Sequence, residues 1–427
     1  MSGVTPIKVV PISQNLETPS KNEPSLSNVK MEPEPITLDI PVEKESKVAV
    51  VNPEVKVQTS EYSSHDYTQA EIDAANDLKK TLAAFLTKTV DASADDSVKC
   101  TIPTGIDVLD TILGGGVATK LFQVVGMPGS GKSALVARII ATAQRKWPGK
   151  SIGIYVDSEQ SMSSERLEQL GVCNPTITPY GDDISVEKVF KFIEGICVFK
   201  EQHPEYMDIP ACVIWDSIAN TLTEKGVEAE NQYSVLGQKA ALLSHLLPKY
   251  VNKLNKYAIC MVGVNQLREK IEMGMMHTPP TLRFLADKNI PGGNSLLFNS
   301  FQLLFLRQKE ALKEYGFEGV IVTARTIKNK LFTPNVEVEM VFSFEHGFSN
   351  FWTNYELLKK FKRVTCGGGW VSLENYDGKK CQQKGVIQKY KEDPEFRVAW
   401  DCAVQDVLKT EYIEKYRSGN KGQTEVW

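Results

Sequence analysis

Eight consecutive residues, Gly126-Met127-Pro128-Gly129-Ser130-Gly131-Lys132-Ser133, fit the pattern G-x-x-x-x-G-K-[ST] between an apolar run, "LFQVV", and a helical stretch, "SALVARIIATAQRK". Glycines at this spacing let successive backbone N–H groups curl around phosphate oxygens, and the amino terminus of the following helix adds positive potential. Lys132 is the cation for the β- and γ-phosphates, and the Ser133 hydroxyl is a ligand for Mg²⁺. The expected ligand is therefore ATP with Mg²⁺.

Hydrolysis also needs acids, and two further apolar runs end in them. "ACVIWDS" sets Asp216 where a carboxylate suits the outer coordination sphere of Mg²⁺. "GIYVDSE" closes with Asp157 and Glu159. An isolated acid of this kind ordinarily caps a helix, but Glu159, two residues beyond the expected strand end, is the better candidate for activating a water beside the γ-phosphate. A third run, "AICMVGVNQ", ends in the amides Asn265 and Gln266 and releases a long segment rich in Met, Pro, Arg and Lys before Gly292 and Gly293.

Such groups need a scaffold that gathers strand ends. From residue 100 to 345, "LFQVVG", "SIGIYVD", "ACVIWD", "AICMVGVNQ", "FQLLFLR" and "VIVTART" read as buried strands, several separated by helical patterns such as "VEKVFKFIEGICVFKEQ". The alternation predicts an α/β core around a largely parallel sheet, with functional groups at the carboxyl ends of its strands. Residues 346–427 contain a helical "YELLKKFKR", a glycine-rich "CGGGWVSLENYDGKKCQQKG" and a final helix, which predict a small α+β domain. Residues 1–67 carry eight prolines among Ser, Glu and Val and are expected to be disordered, either a solvated tail or a tether. Between them, residues 68–99 hold a predicted helix, with Thr68 and Glu71 as a capping box and Ile72, Ala75, Leu78, Leu82, Phe85 and Leu86 on one face, followed by a polar linker. Such a helix must dock on its own domain or on a neighbouring protomer.

The chain of 427 residues, 42% hydrophobic and 24% charged, has the composition of an ordinary globular protein. No apolar run approaches the roughly 18 residues of a membrane span, and the amino terminus lacks a secretory core, so a cytoplasmic location is expected, in the host cytoplasm if the chain is encoded by a phage. The eight cysteines are scattered without zinc-ligand spacing and read as reduced and mostly structural. A net charge of −4 leaves nucleic acid open, because phosphate contact depends on local basic surface.

In order along the chain, "IPTGIDVLDTILGGG", "GMPGSGKS", "YVDSEQSM", "LEQLGV", "CVIWDSIANTL", "GVNQLREKI", "PGGNSLLF", "TIKNK", "VEVEMVFSFEHGF" and "GGGWVSLENYDGKK" resemble the RecA-type strand-exchange recombinases, in the bacterial RecA and T4-like phage UvsX branch. The resemblance implies a RecA-like core that binds ATP between protomers and polymerises as a helical filament on single-stranded DNA. It implies pairing of that strand with homologous duplex DNA in recombination and repair, with single-strand-binding and mediator proteins as possible partners and no membrane. On it, Gly126 to Ser133 bind ATP, Asp216 is the Walker B acid, Glu159 is the catalytic glutamate, and Gln266 senses the γ-phosphate and signals to the loop that follows.

Lys328 and Lys330 match paired lysines that reach a neighbour's ATP, where cations supplied in trans neutralise developing charge only when protomers stack correctly. A first DNA loop is implied at Glu224 to Gly237 and a second after Gln266, with Arg268, Lys270, Arg283, Gly292 and Gly293 as contacts. Met273, Met275, Met276 and Phe284 suit either packing or wedging between bases. Arg166 occupies the position of an adenine-stacking tyrosine, Pro248 interrupts a helical run, and the second loop is longer than in bacterial RecA. A replicative helicase on the same core, or a filament mediator whose nucleotide only regulates assembly, are the competing functions.

Overall fold

A computed structural model describes residues 97–173, 176–178, 184–227, 235–269, 288–289, 294–313, 315–376, 378 and 380–418. These residues belong to one compact unit, Ser93–Trp427. The expected tail (1–67) and almost all of the expected helix and linker (68–99) lie outside the described residues.

The elements run in the order β1 (Thr101–Ile102), α1 (Asp107–Leu113), β2 (Val117–Ala118), β3 (Leu121–Gly126), α2 (Lys132–Lys146), β4 (Ile152–Asp157), α3 (Ser164–Gln169), β5 (Thr176–Thr178), α4 (Val186–Gln202), β6 (Ala211–Asp216), α5 (Glu224–Val227), α6 (Val235–Lys256) and β7 (Ile259–Gln266). They continue through β8 (Arg268–Glu269), β9 (Lys288–Asn289), α7 (Asn294–Asn299), β10 (Gln302–Leu312), β11 (Gly319–Asn329), β12 (Glu337–Ser343), β13 (Gly347–Ser349) and α8 (Asn350–Lys360). The last are β14 (Val364–Gly367), β15 (Trp370–Leu373), β16 (Cys381–Gln382), α9 (Val386–Glu392), α10 (Pro394–Val407), a π-helical turn (Leu408–Glu414) and α11 (Lys415–Ser418).

Among the described residues, nine strands form the central sheet in the order β13-β12-β11-β10-β3-β7-β6-β4-β5. The stretch from β10 to β5 is parallel, whereas β11, β12 and β13 add antiparallel strands on one side. Alternation along β6 explains why both faces are covered. Cys212 and Ile214 pack with α2 residues Leu135, Val136 and Ile139, while Val213 and Trp215 pack on the other face with Phe190 of α4 and Leu243 and Leu247 of α6. The register sets Gly126 beside Gln266 and Asp157 beside Asp216, which lines up the expected functional residues along one end of the sheet.

Three expectations change. Pro248 lies inside a continuous α6. It is exposed, as is Ser244, whose carbonyl loses its intrahelical donor, while buried Leu243, Leu247, Tyr250 and Leu254 hold the helix to the sheet. The first loop, expected over Glu224 to Gly237, is bounded by helices instead: Glu224–Val227 is helical and Gly237 lies in the first turn of α6. The boundary expected at 345 falls just before a strand of the main sheet, since β13 pairs with β12. Beyond it, Trp352, Tyr355, Val371, Phe396, Trp400 and Tyr412 share one buried cluster with the core, so the small β14-β15-β16 sheet and its helices are an extension of that core.

Candidate nucleotide site

The loop between β3 and α2 is shaped by close approach. A Cβ on Gly126 would lie 2.4 Å from the Leu306 carbonyl oxygen and 2.7 Å from Ser130 Oγ, so any side chain there would push the loop off β10. Gly131 has a φ of 83°, and a Cβ on it would lie 3.0 Å from the Phe348 ring, an aromatic wall contributed by β13. Ser130 donates from N and Oγ to the Met127 carbonyl, at 3.3 and 2.8 Å. The Lys132 ammonium donates to that same carbonyl at 2.9 Å. Burial lowers the Lys132 pKa, opposed by Asp216 and Glu159, which favour its charge.

Asp216, at the end of β6, accepts from Tyr155 Oη at 2.7 Å and from the Ser133 hydroxyl. Burial raises its pKa, and those two hydrogen bonds partly offset the rise by favouring the anion. Asp157 is a turn acid: its carboxylate accepts from the backbone N–H of Glu159 at 3.0 Å and of Met162 at 2.8 Å, fixing the chain that follows β4. That turn presents Glu159, whose Oε1 accepts from Ser217 Oγ at 2.6 Å, Asn220 Nδ2 at 2.8 Å and Gln266 Nε2 at 2.9 Å. Neighbouring Asn265 is fully buried, with Nδ2 3.5 Å from Gln123 Oε1. The two amides thus divide, one inward to the core and one toward the acids.

The expected phosphate-site residues therefore converge, joined by Tyr155, Ser217, Asn220 and Phe348, which sequence reasoning did not single out. Ser217 was legible as the neighbour of Asp216 in "WDS". Tyr155 and Asn220 carried no signal until the register and the turn after β6 brought them to the acids.

Arg166 Nη2 donates to the Phe344 carbonyl at 2.9 Å and Nη1 to the Glu345 carbonyl at 2.8 Å, so its guanidinium plane is fastened to the turn after β12. Phe344 itself is 54% exposed and packs edge-on against Phe342, whose ring borders Gly131.

After Gln266 the chain enters β8, which pairs antiparallel with β9, Arg268 opposite Asn289. The two strands flank residues 270–287, where the second loop is expected. Lys270, Met273, Met275, Met276, Arg283, Phe284, Gly292 and Gly293 lie outside the described residues. The "IKNK" pair is not a free turn. Lys328 is within β11 and donates to the carbonyls of Leu297 and Phe298 at 2.9 and 2.7 Å, while the Lys330 ammonium sits 5.6 Å from the centre of the Phe301 ring.

A glycine loop between a central strand and a helix, a lysine at its end and acids at the same end of two further strands of the sheet, β6 and β4, define a nucleotide-hydrolysing α/β core. The family model for the RecA N-terminal domain matches residues 78–349, more than half of the chain. Similar proteins include the protein RecA of Aquifex aeolicus, 28% identical over 299 residues, covering 69% of this chain and 80% of that one. The protein RecA of Synechocystis is 26% identical over 316 residues, covering 72% and 82%, and the protein RecA 2 of Myxococcus xanthus is 28% identical over 326 residues, covering 75% and 82%. The chain belongs to the RecA family. It is a DNA-dependent ATPase of homologous recombination and repair that forms filaments on DNA and catalyses strand exchange, and neither a helicase nor a mediator function is favoured. No helix among the described residues is long and apolar enough to cross a membrane.

Proposed function

We propose that ATP is hydrolysed at this site with Glu159 orienting and deprotonating the attacking water, and that Gln266 ties the state of the phosphates to the second DNA loop. The observation that carries the reading is the 2.9 Å hydrogen bond from Gln266 to Glu159, made two residues before the chain enters the β8–β9 stem. A single amide thus adjoins both the candidate base and the root of a DNA-facing segment. When the amide turns to a γ-phosphate oxygen, it must leave or share Glu159, which links nucleotide, base and loop.

Lys132 and the N–H groups of Gly129 to Ser133 would hold the phosphates. The Ser133 hydroxyl and the Asp216 carboxylate fit Mg²⁺: they are hydrogen-bonded to each other and offer hard oxygen donors beside the loop. When bound, the ion supplies charge neutralisation at the β- and γ-phosphate oxygens. Phe344, held beside Arg166, is a candidate surface for the base, a role the sequence reading gave to position 166. Lys328 and Lys330 would act on the ATP of an adjacent protomer, exchanging their present carbonyl and ring partners for phosphate on assembly. Arg268, Lys270 and Arg283 would contact DNA phosphates, Met273, Met275, Met276 and Phe284 would separate bases, and Gly237, Gly292 and Gly293 would allow close backbone approach. Single-strand-binding and mediator proteins would be its partners in the cytoplasm.

The test is steady-state ATP hydrolysis with and without single-stranded DNA. Gln266→Ala is expected to keep most of the DNA-free rate while losing about ten-fold of the stimulation by DNA. A variant stimulated as strongly as the parent would overturn the coupling role.

A further inference from the structure

Glu159 is held from a second direction that does not involve Gln266. Ser217 Oγ and Asn220 Nδ2 donate to the same Oε1 from the turn that follows β6. That turn is itself fastened. Trp215 Nε1 donates to Thr221 Oγ1 at 2.7 Å, and the Thr221 hydroxyl donates to the Ser217 carbonyl at 2.9 Å. From α6, Lys239 is 6% exposed, and its ammonium donates to the carbonyls of Ile218 at 3.0 Å and Ala219 at 2.8 Å. A buried ammonium is costly unless its protons find acceptors, so these bonds set the spacing between α6 and the turn. The two carbonyls directly precede Asn220.

We propose that Asn220 is a positioning residue for Glu159 and that Lys239 is the clamp that sets its turn. The inference rests on the reading of Glu159 as the group that takes the water's proton. Three donors on Oε1 leave Oε2 as the acceptor for that proton. The terminal torsion of a glutamate is broad, so its carboxylate needs such fixing to present one oxygen. While Gln266 is engaged with phosphate, Asn220 and Ser217 still hold Oε1. Removing Asn220 lowers the fraction of time that Oε2 faces the water and leaves the phosphate contacts intact.

The experiment is hydrolysis by the full chain at saturating single-stranded DNA, with kcat and KM for ATP determined separately. Asn220→Ala is expected to lower kcat about ten-fold and to change KM less than about two-fold. Asn220→Asp keeps the shape, loses the donor and adds a like charge, and should lose at least as much. In a Glu159→Gln background, Asn220→Ala should cost nothing further, because the carboxylate it orients is gone. Lys239→Met, or the shorter Lys239→Gln should the first not fold, is expected to lower kcat with KM retained. An Asn220→Ala kcat within about two-fold of the parent, or an equal loss in both backgrounds, overturns the positioning role while leaving Glu159 as the base. Full kcat in the Lys239 variant that folds removes the clamp from the proposal. A Glu159→Gln chain that hydrolyses ATP at the parental rate defeats the reading of the base itself, and the positioning role with it.

Discussion

Lys132 and Lys200 are both buried, with 7% and 0% exposure, and both point their ammonium at backbone carbonyls. Lys132 bonds the Met127 carbonyl of its own loop. Lys200 bonds the carbonyls of Ile209 and Tyr257 at 2.6 and 2.5 Å, where the chain enters β6 and β7 at the opposite end of the sheet. Burial lowers both pKa values, that of Lys200 to about 8. The difference lies in their surroundings. Lys132 has Asp216 and Glu159 close enough to support its charge and stands at the edge of a glycine loop. Lys200 has like-charged Lys99 as its next largest influence after burial and carbonyls on its protons. Buried lysine alone is therefore no sign of a site; a lysine whose carbonyl bond can be exchanged for a phosphate, beside acids, is one.

The contrast breaks first at catalysis. Lys132→Ala is expected to reduce ATP hydrolysis roughly a thousand-fold, with thermal unfolding little changed, because the loop rather than the ammonium shapes that corner. Hydrolysis surviving that change would erase the distinction. Lys200→Met should do the opposite: it leaves buried carbonyls without donors and is expected to cost about 2–3 kcal/mol in urea unfolding, with hydrolysis per folded molecule unchanged.

A smaller, pH-dependent effect sharpens the difference. The Lys200 pKa in the folded chain, about 8, lies below the ordinary 10.5. Between those values the unfolded chain holds more protons, so the penalty for the buried ammonium, complete below pH 8, fades as pH rises toward 10.5. The parent should therefore gain stability relative to Lys200→Met across that window, by at most about 3 kcal/mol. A pH-independent difference between parent and variant would show that the folded and unfolded pKa values are alike.

Much of the nucleotide end was legible along the chain because its chemistry is local. The loop needs glycines beside a lysine and a hydroxyl, and apolar runs ending in Asp216, Glu159 or Gln266 show as abrupt changes in residue type. The partners of those acids were not legible. Asn220 lies in an ordinary turn, and Lys239 looks like one of many helical lysines. Tyr155 reads as another strand aromatic until the pairing of β4 with β6 brings its hydroxyl to Asp216. Pro248 misled for a related reason: proline's local cost is real, but an exposed position on a helix anchored by four buried side chains absorbs it. The limit expected at residue 345 followed a change of pattern, whereas the sheet and its apolar cluster continue across it.

By itself, then, the sequence determined the phosphate loop, the alternation that builds a parallel sheet and the strand ends that carry acids and amides, because each depends on residue types within a few positions. Only the tertiary structure decided that Oε1 of Glu159 would be shared by donors from two strand ends, that Lys239 would clamp one of them, and that Lys200 would be a brace rather than a site. Those outcomes depend on strand order and register, which bring together residues separated by up to about a hundred positions in the chain.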